Sequence, residues 1–336
     1  MNWNRHNIYI IAEIGGNFTT WEEAAELIDK AKACGVDAVK LQTYRAETLS
    51  SKKALFDMEN TGVTSQYDLF DAYAVGEELH RKIFAYAKSL GLDIFSSPSH
   101  QSDVDMLERL GCDAYKTGSD DAVNLPLLRY IAALGKPVIY ASGMCTLDEV
   151  RRSVDVMLAQ GNRRIAILHA ITAYPTHAED VNLRAIGTLQ DAFPGLTVGY
   201  SDHTMGITAC ICAAAMGARI LEKHFTYDKQ AQGPDHMHSA DPEQMRRLVE
   251  AVREFEVMRG HGIKMPAPSE RITRRNNRKS VVLCRDVKAG EIIAGDAVDI
   301  KRPGYGIEPA FLEQVIGRRA GRDLYAEDVL NWEDLG

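Results

Sequence analysis

The polar residues with the most chemical promise come in pairs two positions apart: Lys40 with Gln42, Ser201 with His203, and Glu222 with His224. Each pair sits in a short apolar run, and in a β-strand residues two apart share one face. Lys, Glu and His on an inward face are costly to bury without a partner or a ligand. Any one of them alone reads as an ordinary hydrogen-bonded core residue, but the set together does not. Further candidates close other apolar runs: Glu13, Ser96 and Ser97, Lys116 and Ser119, Ser142, and Tyr174 just after one. Lys40 and Lys116 with several serine hydroxyls make a cradle suited to a phosphate and a carboxylate. His203 and His224, with Glu222 and the nearby Asp235, could hold a divalent cation and leave positions open for Lewis-acid chemistry. No cysteine accompanies them, which favours Mn2+ or Mg2+ over zinc. Two histidines by themselves leave metal and geometry open.

The elements that must carry these residues alternate along the chain. Strand-like runs at Ile8–Glu13, Ala38–Gln42, Asp93–Ser97, Ala114–Gly118, Pro137–Ser142, Ile165–His169, Thr197–Ser201 and Ile220–His224 are separated by amphipathic helical stretches. Repeated strand-then-helix units predict a (β/α)8 TIM barrel rather than an open doubly wound sheet. In such a barrel, functional side chains emerge at the C-terminal strand ends, where these residues fall. Several helices exit through a glycine, such as Gly35 and Gly217, a left-handed cap with no chemistry of its own. A long irregular insertion, Ala46 to Ala74, follows the second strand and is expected over the barrel mouth.

The 336 residues divide at a change of pattern. Residues 1–260 form the expected barrel, 261–279 a proline-bearing and then basic linker, and 280–336 a small glycine-rich, short-stranded tail. A tail this short buries too little to be comfortable alone and should dock on something. A formal charge of −8 gives no field for a polyphosphate backbone, so nucleic acid is not expected as a partner. The start, Met1 to Asn7, is polar, no signal segment follows it, and no run reaches the roughly 20 apolar residues of a membrane span. Six scattered cysteines without a CxxC pair point to a reducing, cytoplasmic setting, and Cys210 and Cys212 are read as packing residues.

With these residues in view, the chain resembles the sialic acid synthase family, which includes N-acetylneuraminate, legionaminate and pseudaminate synthases. The phrases that carry the resemblance span the barrel: Ile11-Ala12-Glu13-Ile14-Gly15, Val39-Lys40-Leu41-Gln42-Thr43, Ala114-Tyr115-Lys116-Thr117-Gly118-Ser119, Tyr174-Pro175-Thr176, Ser201-Asp202-His203-Thr204, Glu222-Lys223-His224-Phe225 and Gly233-Pro234-Asp235-His236. The tail, with Lys301-Arg302-Pro303-Gly304-Tyr305-Gly306, resembles the antifreeze-like (SAF, β-clip) domain of those enzymes. The resemblance implies an enzyme that condenses phosphoenolpyruvate with an N-acylated hexosamine, either N-acetylmannosamine or a 2,4-diacetamido-trideoxy hexose, to a nonulosonic acid and phosphate. Lys40, Ser97, Lys116, Ser119, Ser142 and Ser201 would then hold phosphoenolpyruvate. His203 and His224 would bind the metal, Mn2+ with Mg2+ or Co2+ as alternatives, and Gln42, Asp121, Tyr174 and Asp235 would face the sugar. Glu13 is implied both on the sugar side and among the catalytic residues. Arg302 would reach the sugar pocket of a partner chain in a domain-swapped homodimer. The implied chemistry is attack of C3 of phosphoenolpyruvate on an open-chain aldehyde polarised by the metal, then water addition at C2 and loss of phosphate, with Glu222 handling the water.

Four positions depart from the family pattern: Ala141, Thr172, Phe18 and Asp121, the first two on the phosphate side and Phe18 on the sugar side. Two rivals compete with this reading. One is a barrel enzyme of the heptulosonate or octulosonate phosphate synthase kind or a metal-dependent aldolase; the other is a non-catalytic sugar-binding homologue.

Overall fold

The computed structural model describes residues 8–58 and 62–336. The polar start Met1 to Asn7 and residues 59–61 of the insertion lie outside the described residues. The chain divides into two compact units, Met1–Gly260 and His261–Gly336.

The first unit is the expected barrel. Strands β1 (Tyr9–Glu13) and β2 (Ala38–Thr43) are followed by a small hairpin, β3 (Leu55–Met58) with β4 (Gly62–Ser65). The remaining barrel strands are β5 (Asp93–Pro98), β6 (Tyr115–Thr117), β7 (Val138–Ala141), β8 (Ile165–Ala170), β9 (Thr197–Asp202) and β10 (Ile220–His224). Eight of these close in the order β1-β10-β9-β8-β7-β6-β5-β2, all parallel. The strands are buried on both faces because helices cover the outside.

Local signals explain the helices. Thr20 and Thr146 each cap a helix and meet a glutamate three residues on, so Trp21–Cys34 and Leu147–Leu158 both open with a reciprocal capping box. Gly35 and Gly217 take φ of 83° and 99°, the left-handed exits the sequence implies. Among the described residues no helix is long and apolar enough to cross a membrane. Cys210 packs in the core, whereas Cys212 is exposed: the helix Thr208–Ala215 turns successive residues about 100° apart, so the two cannot share a face.

The insertion after β2 is more ordered than its irregular pattern suggested. It holds a short helix (Ala46–Leu49), the β3–β4 hairpin and a helix at Gln66–Tyr73. Ser65 caps that last helix, and Phe70 packs edge-on against Tyr44 and Phe56. The ring contacts join the helix to the hairpin and to the segment just after β2, which no single periodicity reports.

The second unit begins with a basic helical segment, Arg271–Asn277, whose residues are exposed, and continues through β11 (Ser280–Leu283) paired antiparallel with β12 (Val298–Lys301). Its core is small and apolar, built on Val281, Leu283, Val287, Ile293, Leu324 and Leu330. Two similar stretches face each other across it: Val287 and Leu324 exchange backbone hydrogen bonds. Asp323 Oδ1 accepts from Ala289 N while Asp286 Oδ1 accepts from Ala326 N, both at 2.9 Å.

Candidate active site

Polar side chains from most of the barrel strands meet in one cavity of about 580 Å3 at the C-terminal face. Strand register brings them together. Glu13 lies beside Lys40, Gln42 beside Ser97, and Ser201 beside Glu222. The pleat then turns the pairs predicted to share a face inward, and sends the residues between them out. Asp202 and Lys223 therefore meet on the outer side, where Lys223 Nζ binds Asp202 Oδ2 at 2.8 Å and the Thr204 carbonyl at 2.8 Å. That buried pair pins the turn carrying His203.

On the inner side Glu222 is the hub. Its Oε1 accepts from Ser201 Oγ at 3.0 Å and lies 3.5 Å from Lys116 Nζ and 3.8 Å from Lys40 Nζ. Burial alone would raise its pKa, but the Lys116 and Lys40 ammoniums hold it below the usual carboxylate range. Its Oε2 is buried with no hydrogen-bond partner. Lys40 also contacts Glu13 Oε2 at 2.5 Å and donates to Ser97 Oγ at 3.1 Å. Burial pulls the Lys116 pKa down, so of the two ammoniums it gives up a proton more readily.

A second group gathers beside the hub. His224 Nδ1 stands 3.3 Å from Asp235 Oδ2, and His238 Nε2 stands 3.9 Å from Asp235 Oδ1. One ligand atom from each of His224, Asp235 and His238 falls within 4.8 Å of the others. His203 is close by, its ring centroid 5.4 Å from that of His224 and 4.2 Å from Tyr174. His203 Nδ1 donates to the Ile171 carbonyl at 2.6 Å, which leaves Nε2 with the lone pair. Burial, then the neighbouring His224, lowers His203 to about 4 and His238 to about 3, so both are neutral at pH 7, the form a metal needs. Burial works against the Asp235 carboxylate, yet His224 and His238 keep its pKa low. Buried nitrogens without hydrogen-bond partners on His224 and His238 fit a divalent cation.

Several expected residues sit elsewhere. Glu13 is fully buried behind the wall, where its Oε1 accepts from Gly15 N at 2.7 Å and it anchors Lys40, so it positions the cradle instead of facing a sugar. A Cβ on Gly15 would fall 2.4 Å from Glu13 Oε1, so the loop can approach only as glycine. Asp121 is turned away into a bond from Asn124 Nδ2, and its neighbour Asp120 lines the cavity instead. Ser142 is not in the wall; its hydroxyl donates to the Leu168 carbonyl of the neighbouring strand. Phe18 is packed in the core rather than on the sugar side. Arg302 is exposed on the second unit.

The remaining expected residues, Lys40, Gln42, Ser97, Lys116, Ser119, Tyr174, Ser201, His203, Glu222, His224 and Asp235, all line the cavity. Ala141 and Thr172 line it too. The Thr172 hydroxyl is buried without a partner near Ser119, since a Cβ on Gly143 would lie 2.4 Å from one and 2.6 Å from the other. The departure at 172 therefore keeps a hydroxyl beside the serine. Sequence reasoning missed His238 and the apolar insertion residues. The first had a readable signal, a histidine three positions after Asp235; for the second, the place of the insertion over the mouth was legible, but which of its side chains line the cavity, Leu49, Phe56, Leu69 and Phe70 among them, was set only by folding.

A phosphate-and-carboxylate cradle beside a cation-competent cluster in a TIM barrel defines a class of carbon–carbon bond-forming synthases. The chain belongs to the NeuB family, which it matches over residues 27–264, and it carries a SAF domain over residues 278–336. It is thus a transferase of the phosphoenolpyruvate-dependent nonulosonic-acid-synthase type. Among its relatives is the N,N'-diacetyllegionaminic acid synthase of Legionella pneumophila, 39% identical, covering 97% of this chain and 94% of that protein. The enzyme of the same name from Campylobacter jejuni is 37% identical over 96% of this chain and 98% of its own length. A solved structure of an N-acetylneuraminic acid synthetase from Leptospira borgpetersenii superposes with a TM-score of 0.72 at 29% identity, covering 80% of this chain and 90% of that one.

Proposed function

We propose that the acceptor which this synthase joins to phosphoenolpyruvate is a 2,4-diacetamido-trideoxy hexose. The convergence of Lys40, Lys116, Ser201 and Glu222 on one wall carries the phosphoenolpyruvate half of that reading. For the acceptor, the support is the apolar part of the wall, with Leu49, Phe56, Leu69 and Phe70, which suits the methyl groups of two acetamido arms and a deoxy carbon better than a fully hydroxylated sugar. The two relatives named for diacetyllegionaminic acid point the same way.

Lys40 and Lys116 neutralise the phosphate and carboxylate of phosphoenolpyruvate, and Ser97, Ser119, Ser201 and Thr172 supply hydroxyl donors. Each ammonium has three donors, so the carboxylates already beside the lysines leave room for a ligand oxygen. Holding both substrates together removes much of the entropic barrier to joining C3 of phosphoenolpyruvate to the acceptor carbonyl carbon. Glu222, kept ionised by its two lysines, positions the water that adds at C2 and takes its proton through Oε2 as the C–O bond to phosphate breaks. His203, His224 and Asp235 would hold a divalent cation, Mn2+ with Mg2+ or Co2+ in its place, whose chemistry is Lewis-acid polarisation of the acceptor aldehyde.

The finer parts of the reading include a cytoplasmic setting, supported by six free cysteines, and a homodimer in which Arg302 of the tail serves the partner's sugar pocket. Phosphate release from phosphoenolpyruvate is to be followed with a panel of N-acetylmannosamine, its 6-phosphate, a 2,4-diacetamido-trideoxy hexose and a pentose phosphate, with and without chelator. Turnover with the diacetamido sugar that chelator abolishes is the expected result. Turnover only with a phosphorylated sugar would overturn it, and deletion of residues 280–336 should cut turnover if Arg302 acts across a dimer.

A further inference from the structure

We propose that His238 is a direct ligand of the divalent cation, alongside His224 and Asp235, and that it makes the site prefer nitrogen-loving ions such as Co2+ over Mg2+. The proposal rests on reading the cavity as a metal-assisted synthase site, and it adds a residue outside the His203 and His224 pair.

Among the described buried histidines of the barrel, His224 leaves Nδ1 and His238 leaves both ring nitrogens without a hydrogen-bond partner. His80, His169, His203 and His236 each engage a ring nitrogen: Gly76 O at 3.0 Å, Val181 O at 2.8 Å, Ile171 O at 2.6 Å and Thr226 Oγ1 at 2.6 Å. Such a bond fixes the orientation of a ring, in a core histidine and in a proposed ligand such as His203 alike. His238 is 1% exposed, and neither Nδ1 nor Nε2 has a hydrogen-bond partner. The Asp235 Oδ1 atom, 3.9 Å from Nε2, is beyond hydrogen-bond range. Two orphaned nitrogens on one buried ring are costly unless a ligand meets them.

The backbone around His238 is fixed as a ligand loop needs. Ser239 N and Oγ both donate to the Asp235 carbonyl, at 3.2 and 2.6 Å. Ala240 N donates to the His224 carbonyl at 2.8 Å, and Asn17 Nδ2 donates to Ser239 Oγ at 3.1 Å. His238 is thereby tied to the two residues with which it shares the 4.8 Å cluster. Those bonds fix the backbone that carries the ring before any ion arrives, which is preorganisation. Imidazole suits Co2+ and its neighbours, whereas Mg2+ prefers water and carboxylate oxygen. A further imidazole therefore penalises Mg2+ more than it helps it.

The test uses the full chain without substrates, as purified wild type, His238→Ala and His238→Gln. Affinity for Co2+ and for Mg2+ is measured by calorimetry, and imidazoles on bound Co2+ are counted by X-ray absorption. The melting temperature serves as the folding control, with His238→Gln keeping most of the side-chain volume. In both variants the count is expected to drop by one, with Co2+ affinity falling by more than about 100-fold, beyond the roughly 10–100-fold cost of losing an outer-shell partner. Mg2+ affinity should change by less than about 10-fold. An unchanged imidazole count, an equal fall for both ions, or no Co2+ binding by the wild type would each overturn the assignment. If the count drops but no acceptor releases phosphate, the synthase reading fails while the ligand assignment stands.

Discussion

The two ends of the barrel treat their charges in opposite ways. At the floor, Arg253 donates to the Ile8 carbonyl at 2.8 Å and to Asp37 Oδ2 at 2.8 Å, and lies 3.2 Å from Glu256 Oε1. Glu256 in turn accepts from Ile8 N at 2.7 Å, and Asp37 from Ile10 N at 2.9 Å. Every group in that clamp meets another part of the protein. At the mouth, the Glu222 Oε2, Thr172 Oγ1 and His238 ring atoms are buried with no hydrogen-bond partner. The floor spends its polar groups on joining the helix Pro242–Met258 of the first unit to the start of β1, so its charges serve stability. The mouth holds polar groups in reserve, which costs stability and makes sense only if a ligand completes them.

The comparison breaks first at Glu222. Glu222→Gln keeps the shape and the Ser201 contact but removes the base, so phosphate release should fall by about 10²–10⁴-fold with the melting temperature little changed or raised. A variant that stays active would show that the hub carboxylate is only structural. At the floor, Arg253→Ala should do the reverse. It leaves Asp37 and the Ile8 carbonyl short of a donor and destabilises by about 1–3 kcal/mol in urea unfolding, while kcat of the folded fraction holds. Loss of kcat without loss of stability would mean that the two ends are not separate in function.

Asp121, beside the mouth but outside the cavity wall, sharpens the comparison with the smallest effect. Burial, then the nearby Asp120 charge, pushes its carboxyl from 3.8 up to about 7. Between those values the folded chain holds a proton that the unfolded chain has lost, so stability falls as pH rises through that window. Asp121→Asn removes the penalty. Its melting temperature should gain on wild type from about pH 4 to about pH 7 and keep a constant lead above that. A lead that does not vary with pH would place the ionisation of Asp121 at an ordinary value.

Much of this architecture was legible in the chain. Repeated strand and helix periods marked the barrel, and i, i+2 spacing set Ser201 with His203 and Glu222 with His224 on one face, because alternation along a strand is a local property. Other facts belonged to the tertiary structure alone. Glu13 and Gln42 end neighbouring strands and look equivalent in sequence, yet one is sealed behind Lys40 and the other lines the cavity, since barrel tilt and loop approach set depth. Asp120 takes the place in the wall expected of Asp121 because the turn after β6 gives Asp121 to Asn124. The spacing of His238 from Asp235 was visible in the chain, but its closeness to His224 arose only when the segment after β10 folded back. Residue type and local period are written in the chain, but which polar atoms go unpaired depends on contacts between segments far apart in sequence.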